Sequence, residues 1–223
     1  MLPRPSSRDQ AQAKAQLQAM GIPPDLPREA VDQAWRAASR CTEHDVVSME
    51  GFLSWGVPIR FLRDKLCPLG WTVGRENLET VINPDESFAL ASARGNSHTG
   101  DPDRMPSTLT EKGPQTQLVV AVNSQLSFDD LRPGRPREAE QPAIATWFLL
   151  QYYDAKDEEI RIELSRGVKF RSSSSRRDHG VVSHFEPRIW LDPINVASGA
   201  DAQDRETAAD EPIEVPVTRR QAG

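Results

Sequence analysis

The chain has 223 residues, of which 37% are hydrophobic and 27% are charged, and its formal net charge is −6. The hydrophobic share lies below the globular average, so the core is smaller than the length suggests and part of the chain lies outside it. The negative charge argues against a surface that coats nucleic acid in general, because such surfaces carry clustered positive charge.

Cysteine content and apolar runs bear on the compartment. Two cysteines, Cys41 and Cys67, are too few for a disulfide framework, which indicates a reducing environment. No apolar run approaches the roughly 18 residues of a membrane span, and residues 1–10 lack the apolar core of a secretory signal. We therefore expect a cytoplasmic protein that does not bind membranes.

The first two predicted helices are bounded by common capping signals. Ser6 or Ser7 can cap a first helix, which Gly21 is placed to end. A second helix is predicted to begin near Asp25, with Pro27 in its first turn, where the missing N–H of proline costs nothing.

The apolar stretch over 48–70 is predicted to form two further helices. Gly56 and Pro58 interrupt it, because a proline lacks the N–H that a helix interior uses. We therefore expect a short helix over 49–55 and another over 58–66.

After residue 70 the apolar spacing changes towards that of strands. Residues 78–82 and 87–95 flank the type I turn signal Asn-Pro-Asp-Glu and predict a hairpin, whose second strand is expected to be half-buried. Residues 114–128 return to helical spacing, with Pro114 suited to the first turn.

A second hairpin is predicted in the last third of the chain. Residues 146–154 are apolar on both faces, which suits a central strand, whereas 158–166 alternate and leave one face in water. Residues 166–180 are expected to form a basic loop rich in serine and arginine. The segment 187–194 carries prolines near both ends and predicts a short edge strand.

Together these elements predict an α+β fold, in which N-terminal helices pack on an antiparallel sheet of hairpins with one inserted helix. The helix within residues 1–22 is expected to be loosely attached, because it has few large apolar residues. Residues 23–194 are predicted to form a single α+β domain. The polar tail 195–223 is predicted to be disordered.

The longest polar loop, residues 95–116, is the candidate ligand site. It lies between a predicted strand and a predicted helix, where free backbone N–H groups and the helix dipole favour anions. Its Lys-Gly-Pro order at 112–114 differs from the Gly-Lys-Ser/Thr of a phosphate-binding P-loop. The alternative is a solvated tether. The candidate ligand-binding residues are Thr99, Gly100, Arg104, Lys112 and Gly113.

The basic segment 161–177 is the candidate nucleic-acid surface. Residues 161–180 contain six Lys/Arg side chains and two carboxylates, and surfaces that bind single strands combine such cations with stacking aromatic rings. The alternative is that the nearby rings belong to the core and the arginines to a solvated loop. The candidate residues are Lys169, Arg171, Arg176 and Arg177.

No motif predicts catalysis, a metal site or a cofactor. Cys41 and His44 have the spacing of half a zinc knuckle, but Cys67 and His98 would complete it at separations that match no zinc module. The sequence has no Gly-x-Ser-x-Gly turn for a nucleophile, and its predicted hairpins lack the Asp and Glu-x-Lys pattern of magnesium-dependent nucleases.

The function that we expect is that of a non-catalytic bacterial accessory or regulatory module, which binds a protein or nucleic-acid partner through its long polar loops. The alternative is an enzyme that acts on a phosphorylated or nucleotide substrate bound at residues 95–116. Thermal shift against nucleotides, sugar phosphates and oligonucleotides separates the two, because a bound ligand stabilises the folded chain.

Overall fold

The computed structural model describes residues 7–130, 144–174 and 178–196. Within these ranges the chain forms four α-helices, one 3₁₀ turn and six strands. The helices are α1 (Ser7–Ala19), α2 (Leu26–Ala38), α3 (Met49–Leu66) and α4 (Pro114–Asp130), and the 3₁₀ turn is Cys67–Leu69. The strands are β1 (Thr72–Gly74), β2 (Thr80–Ile82), β3 (Phe88–Arg94), β4 (Ala145–Asp154), β5 (Glu159–Ser172) and β6 (Gly180–Asn195).

Local signals place α1 and α2 where the sequence predicts them. Asp25 precedes α2, and Pro27 lies in its first turn. Gly21 adopts a φ of +70°, which favours glycine. The N–H of Ile22 then donates to the carbonyl of Leu17 at 2.9 Å, so the chain turns away directly after α1.

The prediction of two helices over 49–66 is wrong, because α3 runs without a break through Pro58. Proline removes the N–H that would donate to the carbonyl four residues earlier, that of Ser54. In the structure the side-chain amide of Gln151, on β4, donates to that carbonyl instead. A tertiary contact therefore replaces the hydrogen bond that Pro58 cannot make.

The six strands form one sheet in the order β1-β2-β3-β4-β5-β6. The strands pair antiparallel except for β3 and β4, which are parallel with Leu90 opposite Trp147. Parallel neighbours need a long crossover, and α4 lies within it. The predicted α+β class, the 78–95 hairpin and the inserted helix are confirmed, whereas one of the strand pairs is parallel.

Helices cover both faces of this sheet. On one face, α1 to α3 pack Leu17, Val31 and Leu62 against sheet residues that include Leu149 and Ile162. On the other face, α4 packs against β4 and β5, and the core cluster on that side consists of Val119, Val120, Phe148, Leu150, Val182 and Phe185, with Ala91 and Ala93 of β3. None of the helices in the described part of the chain is long and apolar enough to cross a bilayer.

Because helices cover both faces of the sheet, its central strands are buried on both faces. Phe148 and Leu149 are 2% and 1% exposed and point to opposite faces, so the prediction that β4 is central is confirmed. The prediction that β3 is half-buried is wrong, since five of its seven residues are buried. The small residues on its second face leave room for α4.

Asn123 anchors α4 to the sheet from within an apolar segment. Its side-chain amide donates to the carbonyls of Thr146 and Gly167 at 2.8 Å each, and the N–H of Thr146 donates back to its oxygen at 2.8 Å. Gly167 is required there, because a Cβ would lie 2.7 Å from Val182 Cγ1.

The prediction of a basic loop over 166–180 and a short strand over 187–194 is wrong in extent. β5 continues to Ser172 and β6 begins at Gly180, so most of the basic segment forms the far half of a long hairpin. Phe170 packs against the α4 side of the core, which gives this half an apolar anchor. β6 does lie at the sheet edge, as predicted.

Two expectations concern the chain ends. The first is that the helix within residues 1–22 is loosely attached. In the structure, Leu17 of α1 is completely buried in the larger core cluster and holds residues 7–19 to the sheet. Of the predicted disordered tail, residues 197–223 lie outside the described part of the chain. The N–H of Val196, the last described residue, donates to the carbonyl of Glu158 at 2.9 Å.

The sequence predicts that one face of residues 158–166, on β5, is exposed to solvent. This prediction is wrong, because that face is buried. Arg161 is 6% exposed, and Glu163 and Ser165 are fully buried. Alternation of polar and apolar residues shows that the two faces differ in polarity, but it leaves open what covers the polar one. The cover is the 95–116 loop.

Candidate functional site

The 95–116 loop leads from the end of β3 into α4 and lies along the start of β6. Within the loop, Gly95 and Thr108 form an isolated bridge, and Lys112 forms another with Gly180 of β6. The N–H of Thr108 also donates to the carbonyl of Val182 at 3.0 Å. The loop therefore uses backbone hydrogen bonds to cover part of the outer edge of β6.

A buried ion pair lies beneath the loop. Glu163, on β5, is completely buried, and Arg188 of β6 holds it with two hydrogen bonds, from Nη2 at 2.6 Å and from Nε at 3.2 Å. Ser165 Oγ donates to the same carboxylate at 2.8 Å. Paired hydrogen bonds of this kind between charged groups are among the stronger side-chain interactions.

The same ion pair holds the loop through its backbone. The N–H of Gly100 donates to Glu163 Oε2 at 2.9 Å. Arg188 Nη2 donates to the carbonyl of Asp101 at 2.9 Å, and Nη1 donates to that of Arg104 at 3.0 Å. Gly100 has a φ of +73°, and a Cβ there would lie 3.1 Å from Arg161 Cβ, so this approach favours glycine.

A second buried arginine lies beside the first pair. Arg161 donates to the carboxylate of Asp154, lies 3.8 Å from Glu159, and donates from Nη1 to the carbonyl of Ser97 at 2.9 Å. Its guanidinium also stacks 5.2 Å from the ring centre of Tyr152. Arg161 is therefore part of the packed interior and is not presented to a polyanion.

Asp154 makes this cluster sensitive to acid. Burial raises the pKa of its carboxyl, but the N–H of Lys156 at 3.0 Å and the guanidinium of Arg161 outweigh that effect and hold the pKa below its ordinary value of 3.8. A lowered pKa in the folded state means that the charged carboxylate stabilises the fold above about pH 3.8. This stabilisation declines as the pH falls through the folded-state pKa.

We therefore expect Asp154→Asn to lower the melting temperature at pH 7, and the deficit to shrink as the pH falls below 3.8. Melting curves of wild type and variant between pH 7 and pH 3 measure this. The exposed carboxylate of Asp85 supplies the control, since Asp85→Asn is expected to change little at any pH. A deficit that stays constant with pH would contradict the role given to the Asp154 charge.

The predicted ligand-binding residues lie in different parts of the 95–116 loop. Thr99 is completely buried, and a Cβ on Gly95 would overlap its hydroxyl. The Gly100 N–H is taken by Glu163, and Arg104 presents an exposed side chain 3.9 Å from Asp101.

Lys112 and Gly113 lie at the other end of the loop. The N–H of Lys112 donates to Gly180, its ammonium donates to Thr110 at 3.1 Å, and burial lowers its pKa. No hydrogen bond or ion pair among the described residues joins Lys112 or Gly113 to Thr99, Gly100 or Arg104. The structure therefore does not gather these five residues around one cleft; a small open cleft lies elsewhere, between α1 and β6.

The candidate nucleic-acid residues are only partly described. Lys169 and Arg171 lie exposed on the far half of β5, whereas Arg176 and Arg177 lie outside the described part of the chain. Arg166 donates to Ser127 Oγ at 2.8 Å. Together with the burial of Arg161, this leaves two exposed cations among the described residues of the 161–177 segment.

The residues of the half zinc knuckle are not clustered. Cys41 and His44 lie in the connection between α2 and α3, Cys67 follows α3, and His98 lies in the 95–116 loop. Within the described ranges, no three His, Cys, Asp or Glu side chains are grouped so that they could hold a metal ion. Both cysteines are free thiols.

Sequence reasoning missed an exposed apolar surface at the start of α3. Four large apolar side chains stand out there, which we call the α3 patch: Val46, Val47, Phe52 and Trp55. They account for four of the ten exposed large hydrophobic residues in the described part of the chain, although they span only positions 46 to 55. The signal that the sequence offered was the pair Val46 and Val47, which lie in an otherwise polar connection between α2 and α3.

The end of β4 contacts both α2 and α3. Gln151 contacts Ser54 of α3, and two positions further along the same strand face lies Tyr153, whose exposed ring contacts Trp35 of α2 at 4.6 Å between ring centres.

Comparison of the chain with family models, with curated proteins and with solved structures gave no match. The function must therefore be inferred from two features of the chain itself, the buried charge cluster beneath the 95–116 loop and the exposed α3 patch.

Proposed function

We propose that the protein is a non-catalytic binding module and that its partner is a protein which docks on the α3 patch. The observation that carries the proposal is the exposure of this patch, where Phe52 is 59% exposed and Val47 is fully exposed. Apolar side chains grouped on a surface commonly mark interaction sites, and aromatic rings are enriched at the centres of such sites.

The proposed contact surface is the α3 patch and not the 95–116 loop. Four backbone groups of that loop, the Gly100 N–H and the carbonyls of Ser97, Asp101 and Arg104, are engaged by Glu163, Arg161 and Arg188. These contacts hold the loop to the sheet, as expected of a structural cluster. None of the side chains of the α3 patch belongs to the two core clusters of the described residues.

The proposal is tested by Phe52→Ser combined with Trp55→Ser, with Leu69→Ser and Leu118→Ser together as the matched control. All four side chains are exposed, so each variant is expected to lie within about 0.5 kcal/mol of wild type per substitution. A partner captured by wild type from the source cell is purified and titrated by calorimetry. We expect the patch variant to bind it at least ~30-fold more weakly, since aromatic hot spots contribute about 2 kcal/mol or more.

The control variant is expected to bind this partner with wild-type affinity. Equal affinity of the patch variant and wild type would contradict the proposal, and so would the failure of wild type to capture any protein.

A further inference from the structure

Helix α3 is anchored to the core along its second half alone. Its buried residues are Pro58, Ile59, Leu62 and Leu66. Every α3 residue that belongs to a core cluster or packs against one lies after Pro58. By contrast, no residue from 42 to 57 is buried. The first half of α3 and the connection before it therefore lack the apolar burial that supplies most of the stability of helices in proteins.

One hydrogen bond ties residues 42–57 to the sheet. The side-chain amide of Gln151 donates to the carbonyl of Ser54, the group that Pro58 leaves without a helical donor. Within residues 7–130, 144–174 and 178–196, no other hydrogen bond or ion pair joins 42–57 to a residue outside this stretch, apart from the backbone ladder of α3 itself. The attachment of the first half of α3 to the sheet by polar groups therefore depends on Gln151.

The first half of α3 is also a poor helix former. Gly51 and Gly56 both lie in it, and each glycine lowers the helix equilibrium about fivefold relative to alanine. A Cβ at either position would meet nothing within 4 Å, so packing within the described part of the chain does not require glycine there. After Pro58 the helix contains no glycine. Low helix propensity and lack of burial therefore change together at Pro58.

We propose that residues 42–57 open and close as a local unit hinged at Pro58, while residues 58–66 stay packed on the sheet. In the closed form Gln151 holds the helix, and Phe52 and Trp55 are neighbours one turn apart on its surface. In the open form this arrangement is lost. Segments with few buried apolar contacts are those that open locally in folded proteins, and a proline inside a helix is a common site of bending.

The consequence for the α3 patch rests on the proposed function. A partner that recognises Phe52 and Trp55 in their helical arrangement binds the closed form and not the open one. Binding therefore stabilises the closed form, and the equilibrium of the local unit regulates how often the patch is ready to bind.

Amide hydrogen exchange of the full-length protein tests the local unit. The amides of residues 53–57 donate to carbonyls in the first half of α3, and those of 62–66 donate to carbonyls in the second half. We expect the protection factors of 53–57 to lie at least ~10-fold below those of 62–66, because the first half opens without the second. Equal protection in the two halves would overturn the proposal.

Gln151→Met tests the contact that closes the unit. The variant keeps a side chain of similar length but removes the donor, so the protection of 53–57 is expected to fall at least ~5-fold further, with that of 62–66 unchanged. The same substitution at the exposed Gln125 of α4 is the matched control and is expected to change neither. An equal fall in both halves would show that Gln151 stabilises the fold as a whole, and the local unit would be wrong.

Gly51→Ala with Gly56→Ala is expected to have the opposite effect. Alanine favours the helix and meets no neighbour at either position, so the protection of 53–57 should rise at least ~10-fold. Gly113→Ala is the matched control, since a Cβ there also meets nothing within 4 Å, and it is expected to leave exchange in α3 unchanged. Wild-type protection in the double glycine variant would contradict the proposal.

A partner protein purified by capture then tests the link to function. At saturating concentration it is expected to raise the protection of 53–57 at least ~10-fold and to leave that of 62–66 unchanged. Binding without added protection of 53–57 would overturn the link between the local unit and the patch. Failure to capture any protein would contradict the proposed function alone, because the exchange measurements on the free protein and its variants need no partner.

Discussion

Replacing Arg188 with methionine is expected to lower the free energy of unfolding by about 3–5 kcal/mol, because it leaves a buried carboxylate without its charge partner. Glu163 is completely buried, and the other groups that donate to it are the Gly100 N–H and the Ser165 hydroxyl. The same substitution also leaves the carbonyls of Asp101 and Arg104 without the donors that hold the loop. Urea denaturation at pH 7 measures the loss.

A double-mutant cycle with Glu163→Gln isolates the charge interaction. Glutamine keeps the shape of the side chain but removes the charge, so the double variant is expected to cost clearly less than the sum of the two single variants. The exposed Arg171→Met on β5 is the matched control and is expected to change stability by less than about 0.5 kcal/mol. A cost for Arg188→Met no larger than that of the control would mean that the cluster does not hold the loop.

Truncation of the central strand is expected to be comparably costly on both of its faces. Phe148→Ala should lower the free energy of unfolding by about 3–5 kcal/mol and Leu149→Ala by about 2–5 kcal/mol, since each leaves a cavity in a buried cluster. The Phe148 ring lies 6.1 Å from that of Phe185, edge to face, in the cluster that α4 covers. Leu149 lies in the cluster formed with α1 to α3.

Chemical denaturation with Leu118→Ala as the exposed control measures both effects. If Phe148→Ala costs no more than this control while Leu149→Ala is severe, then α4 does not seal its face of the sheet. The two substitutions therefore test the two helix layers separately.

Helix α3 illustrates a limit of local reasoning. The sequence predicts a break at Pro58 because proline leaves a carbonyl without its helical donor. Gln151, almost a hundred positions away in the sequence, supplies that donor. The rule was correct for the isolated segment, and a tertiary contact satisfied the group that the rule left unpaired.

The α3 patch illustrates a different limit. Large apolar residues are usually buried, so Val46, Val47, Phe52 and Trp55 are expected in the core unless their surroundings are known. The sequence shows their grouping but not their exposure, which depends on whether any other element covers them. The same holds for Gly51 and Gly56, whose open surroundings are visible only once the neighbours are placed.

By itself the sequence determined the features that depend on short-range signals. Capping residues and prolines placed α2 and α4, the Asn-Pro-Asp-Glu turn placed the hairpin of β2 and β3, and apolar residues on both faces identified β4 as central. These signals act over a few residues, because they reflect backbone preferences and the spacing of side chains along one element.

Only the tertiary structure decided what the 95–116 loop does. Its Gly100 N–H meets a carboxylate 63 positions later, and that carboxylate meets its arginine a further 25 positions along the chain. Alternation along β5 showed a polar face but could not distinguish water from a packed loop as its neighbour. The energy that ties the loop down lies in charge-assisted contacts between distant segments, and such contacts exist only after the chain has brought those segments together.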